Sequence, residues 1–501
     1  MRALLPALLV ASALAGASSG CSKIDNADFC CVHDCEAHGA SGPVGCANDR
    51  LVCDADSFTC IDPTHGGSCD TSDQCPAVTP YCDQTAHVCK QCLGAMGCTA
   101  DAPVCSGDGA CSATCTDDNA CSTFSGMKHC ETASGAAMGQ CVQCRTGGTD
   151  CAGDTPICDQ NACRACATGS ECASGACDLA SGACVAETNV IYLAPNATGT
   201  SCTKGQPCGT FVAALAQVSG NRTTISMAPG SYKERVTINN LSVTIIGEGA
   251  DLSAVTVGQL VDISGASNVK IEGLRIHDGA GTGGDGIRCM DNGGAPTVSL
   301  HRVQLDTNTG KGINASNNCA VTLRRSRVQH NVGGGVVVMS GEFTIENNFI
   351  GVNGGLSSSL GGVSLQSPLG TGAHVFAFNT VTGNGSVSTA TSGVDCINVG
   401  LPLTFSNNIV FGNTGGTGKQ VNGANCAWTY SDLGDNTAGT GNITMDPMFE
   451  NASQDDLHLM NGSPAKDAAD PAATTNVDID GDARPNPAGG RSDMGADEIL
   501  Q

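Results

Sequence analysis

Aromatic side chains are scarce in this chain of 501 residues: one Trp, four Tyr and eleven Phe. A protein that gripped sugars by stacking rings against them would carry more. Charge is scarce too, at 14% of residues, and one-sided: 23 Lys and Arg against 48 Asp and Glu leave 23 − 48 = −25. Such an acidic chain is a poor partner for nucleic acid or for an anionic membrane surface. Beyond the N-terminal leader no apolar run is long enough to span a bilayer. The surface must therefore be made largely of Ser, Thr, Asn and Gly, and the length allows two or three domains.

What the chain has in excess is cysteine, 33 in all, which implies an oxidising compartment. Residues 1–20 carry Arg2, an apolar run from Ala3 to Ala17 and then Ser18-Ser19-Gly20-Cys21, and read as an export signal peptide. The Gly20-Cys21 ending resembles a bacterial lipoprotein box, which implies lipid on Cys21, an outer-membrane or cell-surface location, and contact with the membrane only through that lipid. Removing Cys21 leaves 33 − 1 = 32 cysteines, an even number. The box usually carries Leu three residues before its Cys, where Ser18 stands here; cleavage near Ala15-Gly16-Ala17 would give a secreted soluble protein instead.

Residues 21–187 form a cysteine-rich repeat region, with 26 cysteines between Cys30 and Cys184. Five copies of a four-cysteine unit follow one another, at Cys69/75/82/89, Cys92/98/105/111, Cys115/121/130/141, Cys144/151/158/163 and Cys166/172/177/184. A degenerate unit, Cys35/46/53/60, precedes them. Four cysteines per unit suit two disulfides in one of three connectivities, and at about 2–4 kcal/mol each these can hold a unit that has almost no core. The Cys-x2-Cys steps at Cys89/Cys92, Cys141/Cys144 and Cys163/Cys166 have zinc-ligand spacing, but export favours oxidation. The array resembles cysteine-rich repeats of exported proteins from large-genome bacteria such as myxobacteria, and reads first as a protease-resistant stalk.

The stretch from Val269 to Val421 repeats one pattern in blocks of 22 to 31 residues. Each block has an apolar-x-apolar pair such as Val298/Leu300, Val321/Leu323 or Phe343/Ile345. An apolar-x-x-Asn step follows, ending at Asn308, Asn331, Asn353, Asn384 or Asn413, and then a Gly-apolar step such as Gly286-Ile287 or Gly335-Val336. Alternation over three to five residues between Gly/Asn turns reads as short strands. A block this small buries its apolar side only by stacking on its neighbour, so the blocks form a solenoid. The repeat resembles the right-handed parallel β-helix family, the pectate-lyase-like superfold, which implies an all-β solenoid over residues 188–445. Residues 446–501 resemble the closing segment of bacterial extracellular β-helix proteins, including those labelled choice-of-anchor. The stretch containing Gly230-x-Tyr232-x-Glu234 resembles the first coils of pectin methylesterase-like helices, but that family's catalytic motifs are missing, as are those of pectate lyases and polygalacturonases.

The five asparagines read as an internal ladder, since Asn tolerates left-handed turns and its amide can bond the copy above. Register on the Gly-apolar strands places Asp285, Arg288, Lys311 and Asn314 together on two adjacent coils, a charged patch that is either a ligand-binding site or a surface ion-pair cluster. Asp478-x-Asp480-x-Asp482 offers hard oxygens for Ca2+, the one ion the sequence suggests, against the reading of a solvated acidic turn pairing with Arg484 or Arg491; no organic cofactor is expected. Equivalent coil positions predict the disulfides Cys289–Cys319 and Cys396–Cys426, with Cys202–Cys208 closing the entry loop. No residue stands out as catalytic. These features favour recognition or display at the cell surface, or carbohydrate binding, with polysaccharide or a surface protein as partner. The alternative is a lyase or hydrolase acting on an acidic glycan.

Overall fold

The computed structural model describes residues 147–500, apart from 254–257, 369–373, 388–389 and 401, together with short stretches between 52 and 145. Cys21 and the leader lie outside the described residues. The chain divides into two compact units, residues 1–152 with 157–164, and residues 153–156 with 165–501. Among the described residues no helix is long and apolar enough to cross a membrane.

In the first unit each well-described module is a short antiparallel ribbon, such as Ile157–Asp159 against Ala162–Arg164. Disulfides Cys115–Cys130 and Cys121–Cys141 join first cysteine to third and second to fourth, and Cys144–Cys158 with Cys151–Cys163 repeats the scheme. The cysteines of the three zinc-like steps are all engaged in disulfides. With so few apolar side chains, the cysteines themselves make the core.

The second unit is a parallel β-helix whose strands fall into three sheets of ten, nine and eight strands. One coil contributes Asn268–Glu272 to the first sheet, Arg275–His277 to the second and Ile287–Met290 to the third, and the next coil lies directly on it. Val269, Ile271, Ile276, Ile287 and Cys289 of that coil point inward and are buried in one continuous core. Successive coils bend through left-handed residues. One corner column runs Gly273, Arg302, Arg325, Asn347, Phe378, Asn407, and another Asp278, Thr307, His330, Val352.

Asn308, Asn331, Asn353 and Asn384 each donate a side-chain N–H to the Oδ1 of the asparagine one coil on, at 2.8, 2.9, 3.0 and 2.8 Å; Asn413 ends the row on Gln420 Oε1 at 2.9 Å. A second row, Asn348 to Asn379 at 2.9 Å and Asn379 to Asn408 at 3.1 Å, lies at another corner and was not anticipated. Phe376, Phe405 and the single Trp, Trp428, stack on successive coils. Cys289 is joined to Cys319 and Cys396 to Cys426, with Cα separations of 6.0 and 6.5 Å, and Cys202 to Cys208. Cys319 reaches Cys289 because left-handed Asn317 and Asn318 turn the chain back before the next strand.

The last cysteine module, bonded Cys166–Cys177 and Cys172–Cys184, belongs to the second unit with the β-helix. Its backbone is held by coil side chains: Glu248 accepts from Gly169 N, Glu272 accepts from Leu179 N, and Tyr192 donates its hydroxyl to Ser174 O. The second unit therefore includes this module as well as the coils that follow residue 187. A short entry helix spans Phe211–Leu215; Thr210 caps it, and the Glu234 carboxylate accepts from Phe211 N. Tyr232 donates to the carbonyls of Leu193 and Ala228, so the Tyr-x-Glu motif braces this end.

Candidate functional site

The patch expected at Asp285, Arg288, Lys311 and Asn314 is assembled but turned inward on itself. Asp285 is buried and accepts from Lys311 N at 2.7 Å and Asn314 Nδ2 at 2.8 Å, bracing the corner between coils. Arg288 pairs with Asp262 on the preceding coil, at 2.7 and 2.9 Å, and that hydrogen bond holds its proton more tightly than usual. Strand parity had put Asp285 on the outside; it lies before the strand Ile287–Met290, where the turn reverses it.

Asp478, Asp480 and Asp482 are not gathered as a ligand set. Asp478 is buried, and its Oδ1 accepts the backbone N–H groups of Asp480, Gly481 and Asp482 while Oδ2 accepts that of Glu498. Asp480 instead faces His458 Nε2 at 2.8 Å, and Asp456 bonds the other ring nitrogen. The bonds to Asp480 and Asp456 raise the imidazole to about 9, so it is held as a cation. Among the described residues His458, Asp480 and Asp497 form the one close grouping of possible metal ligands that is free of cysteine. Arg484 and Arg491 do not pair with the acidic turn. Arg484 is buried over the Phe378 ring, 3.7 Å from Glu498, and Arg491 donates to the carbonyls of Ala468 and Ala469.

Loops that begin at Gly354, Gly385 and Thr414 fall at one place in successive coils. They add a small parallel ladder of their own, Gly385↔Thr414 and Ser386↔Gly415, with Ser392 donating to Thr414 O. Ser358, Ser386 and Ser392 are bonded within these loops, while Leu356 is exposed.

An open polar surface exists elsewhere, on the outer face of the nine-stranded sheet. One outward row reads Asp251, Arg275, Gln304, Arg327, Phe349, Thr380, Ile409, and changes from polar to apolar at Phe349. From Phe349 onward residues 446–500 cover it, with Leu457, Ile479 and Ala496 packing on Phe349, and Leu459, Met494 and Ile499 on Ile409 and Phe378. The first four positions stay open and end against that wall.

Within this strip Arg275 makes a bidentate pair with Asp306, at 2.9 and 3.1 Å, and Gln304 donates to the same carboxylate at 2.7 Å. His277 bonds Asp278 at 2.8 Å, and Thr307 donates to that carboxylate, which sits below its usual range. Arg327 lies over the Phe349 ring and 3.6 Å from Asp480. A cleft of about 220 Å³ opens at this end, lined by Arg302, Val303, Gln304, Arg325, Arg327, Ile479 and Asp480. Burial, and then the neighbouring Arg302, push Arg325 below the usual guanidinium range; burial followed by Arg325, Arg302 and Arg324 pushes His301 down to about 4. The signal for this cleft in the sequence is Arg324-Arg325-Ser326-Arg327, the one place where three arginines crowd into four residues.

Residues 218–366 match the family model described as "Right handed beta helix region". Among solved structures, the crystal structure of pectate lyase Pel9A is similar over 66% of this chain and 100% of that one, at 16% identity and a TM-score of 0.41. No curated protein matches the chain. The all-β, right-handed parallel β-helix expected from the repeat is what the family match and the sheets show together.

Proposed function

We propose that this right-handed β-helix is an exported recognition protein that binds polysaccharide along the open strip of its nine-stranded sheet. The observation that carries this reading is the break in the outward row, where exposed Gln304, flanked by half-exposed Arg275 on Asp306 and Arg327 on Asp480, faces solvent up to a wall built by the C-terminal segment. Coils repeat every ~4.8 Å, so the four open positions span about 14 Å, the length of a short oligosaccharide. Guanidinium and amide groups recognise hydroxyls and acidic substituents by hydrogen bonding, which suits a chain with so few aromatic rings.

The protein reaches its ligand from the outside of the cell, tethered by lipid on Cys21 or released. Mass spectrometry of the mature N-terminus separates the two: diacylglyceryl-Cys21 supports the tether, and an N-terminus at Ser18 removes it.

Calorimetric titration with neutral and acidic polysaccharides tests the binding itself. Saturable binding to at least one polymer, weakened in Arg275→Gln, supports the reading; no binding to any polymer ends it. Release of an unsaturated uronate, followed by its ultraviolet absorbance and lost in the same variant, would replace recognition by lyase chemistry.

A further inference from the structure

We infer that the cleft formed by Arg302, Arg325 and Arg327 is a subsite for a single anionic substituent, a carboxylate or sulfate, on the bound saccharide; this rests on the polysaccharide-binding reading above. The first support is placement. Arg302 and Arg325 occupy the same left-handed corner of two successive coils, at φ 53° and 49°, in a column whose other members are Gly273, Asn347, Phe378 and Asn407. Glycine and asparagine suit that backbone region and arginine does not. Two long cationic side chains are thus stacked about one coil spacing apart, ~4.8 Å, at a position where local propensity argues against them.

The second support is charge. The chain carries a net −25, so carboxylates are in large excess. Yet among the described residues neither Arg302 nor Arg325 has a carboxylate oxygen within the 4.0 Å of an ion pair. Each meets a neutral carbonyl instead: Arg302 Nη1 donates to Ala167 O at 3.1 Å and Arg325 Nε to Ile479 O at 3.2 Å. A guanidinium has five N–H donors in a planar fork, so both have donors beyond these. Arg275 and Arg288, on the same helix, are each closed by a bidentate aspartate. The contrast leaves Arg302 and Arg325 without a paired carboxylate, since Asp480, the one carboxylate lining the cleft, lies 3.6 Å from Arg327.

The third support is size. A cleft of about 220 Å³ holds one charged group and part of a sugar ring, not a chain. Gln304 on its floor offers an amide that can bond a ring hydroxyl beside the charged group. Arg327, next in the outward row, connects the cleft to the open strip.

The test compares polygalacturonate, a sulfated dextran and unmodified dextran by calorimetric titration at two salt concentrations. It uses the full-length protein, Arg302→Gln and Arg302→Lys, with thermal unfolding of each. The inference predicts that one or both acidic polymers bind more tightly than dextran and lose affinity with added salt. Arg302→Gln then weakens acidic binding at least tenfold while its unfolding temperature and its dextran binding stay unchanged, and Arg302→Lys recovers part of the loss because a charge without the fork remains. Preference for the uronate or for the sulfate identifies the substituent. Should dextran bind as well as the acidic polymers, or should Arg302→Gln leave acidic binding intact, the subsite is overturned while polysaccharide binding stands. Failure of every polymer to bind overturns both.

Discussion

Truncation of Asn353 to Ala puts the internal ladder under the most direct strain. Asn353 is buried and makes four bonds with its amide. Nδ2 donates to Val328 O at 2.8 Å and Asn384 Oδ1 at 3.0 Å, and Oδ1 accepts from Asn331 Nδ2 at 2.9 Å and Asn331 N at 3.1 Å. Asn331 Nδ2 keeps other acceptors in Leu305 O and Gln329 O, so its loss is small. The Asn331 backbone N–H has no such substitute, and an orphaned buried donor costs about 1–3 kcal/mol. Adding roughly 1 kcal/mol for each of two further bonds gives about 3–5 kcal/mol for Asn353→Ala. Asn422, which is exposed and bonds Asp395 at the surface, is the control; its truncation should cost no more than about 0.5 kcal/mol. Urea unfolding followed by the fluorescence of the one tryptophan, Trp428, reads both, because that ring is buried in the aromatic stack of the last coils. Equal midpoints for the Asn353 and Asn422 variants would refute the claim that the asparagine row is a structural element of the helix.

Three further outcomes follow from the same geometry. Burial raises Glu272, Asp432 and Glu498 to about 7 and Asp497 to about 6, so each favours its protonated form in the fold, and its contribution is lost as pH rises through those values. His458, raised to about 9, also loses its contribution as pH rises, whereas Asp278, Asp456 and Asp480, held low, lose theirs as pH falls below about 4. Calorimetry should therefore place the highest unfolding temperature between about pH 4 and 6, and a temperature still climbing above neutrality would contradict this. Replacing both Cys289 and Cys319 by Ser opens a bridge of sequence separation 30 and should cost about 3–4 kcal/mol in urea; an unchanged midpoint would show that packing alone fixes that corner. Chelation of calcium should leave thermal unfolding unmoved, because Asp478 is occupied by backbone donors; a stabilisation by added Ca2+ that is lost in Asp478→Asn would restore the three-aspartate site.

Periodicity carried the fold a long way. The pairs Val298/Leu300 and Val321/Leu323, the Asn308-to-Asn413 row and the Cys289–Cys319 relation all depend on residues one coil apart, and a repeat displays that relation directly in the sequence. The second asparagine row was harder to read because Asn348, Asn379 and Asn408 each follow a left-handed residue that varies from Asn to Phe. Parity failed at Asp285 for a related reason: alternation holds along a strand and not through the turn that leads into it. The cleft was beyond any local pattern. Arg302 and Arg325 come from neighbouring coils, while Ile479 and Asp480 come from a segment more than 150 residues later that returns across the sheet. Only packing of that segment on Phe349 brings them together.

The account's central claim is that ligand lies on the nine-stranded sheet against the C-terminal wall. Hydrogen–deuterium exchange of the full-length protein, with and without the tightest-binding acidic polysaccharide, tests this most directly. Protection should appear over Arg275–His277, Gln304–Asp306 and Arg327–Gln329 and in residues 478–482, with Lys311–Ser316 unchanged. Protection confined to Ile287–Met290 and Lys311–Ser316, on the eight-stranded sheet, would contradict the account and return the site to Asp285, Arg288, Lys311 and Asn314.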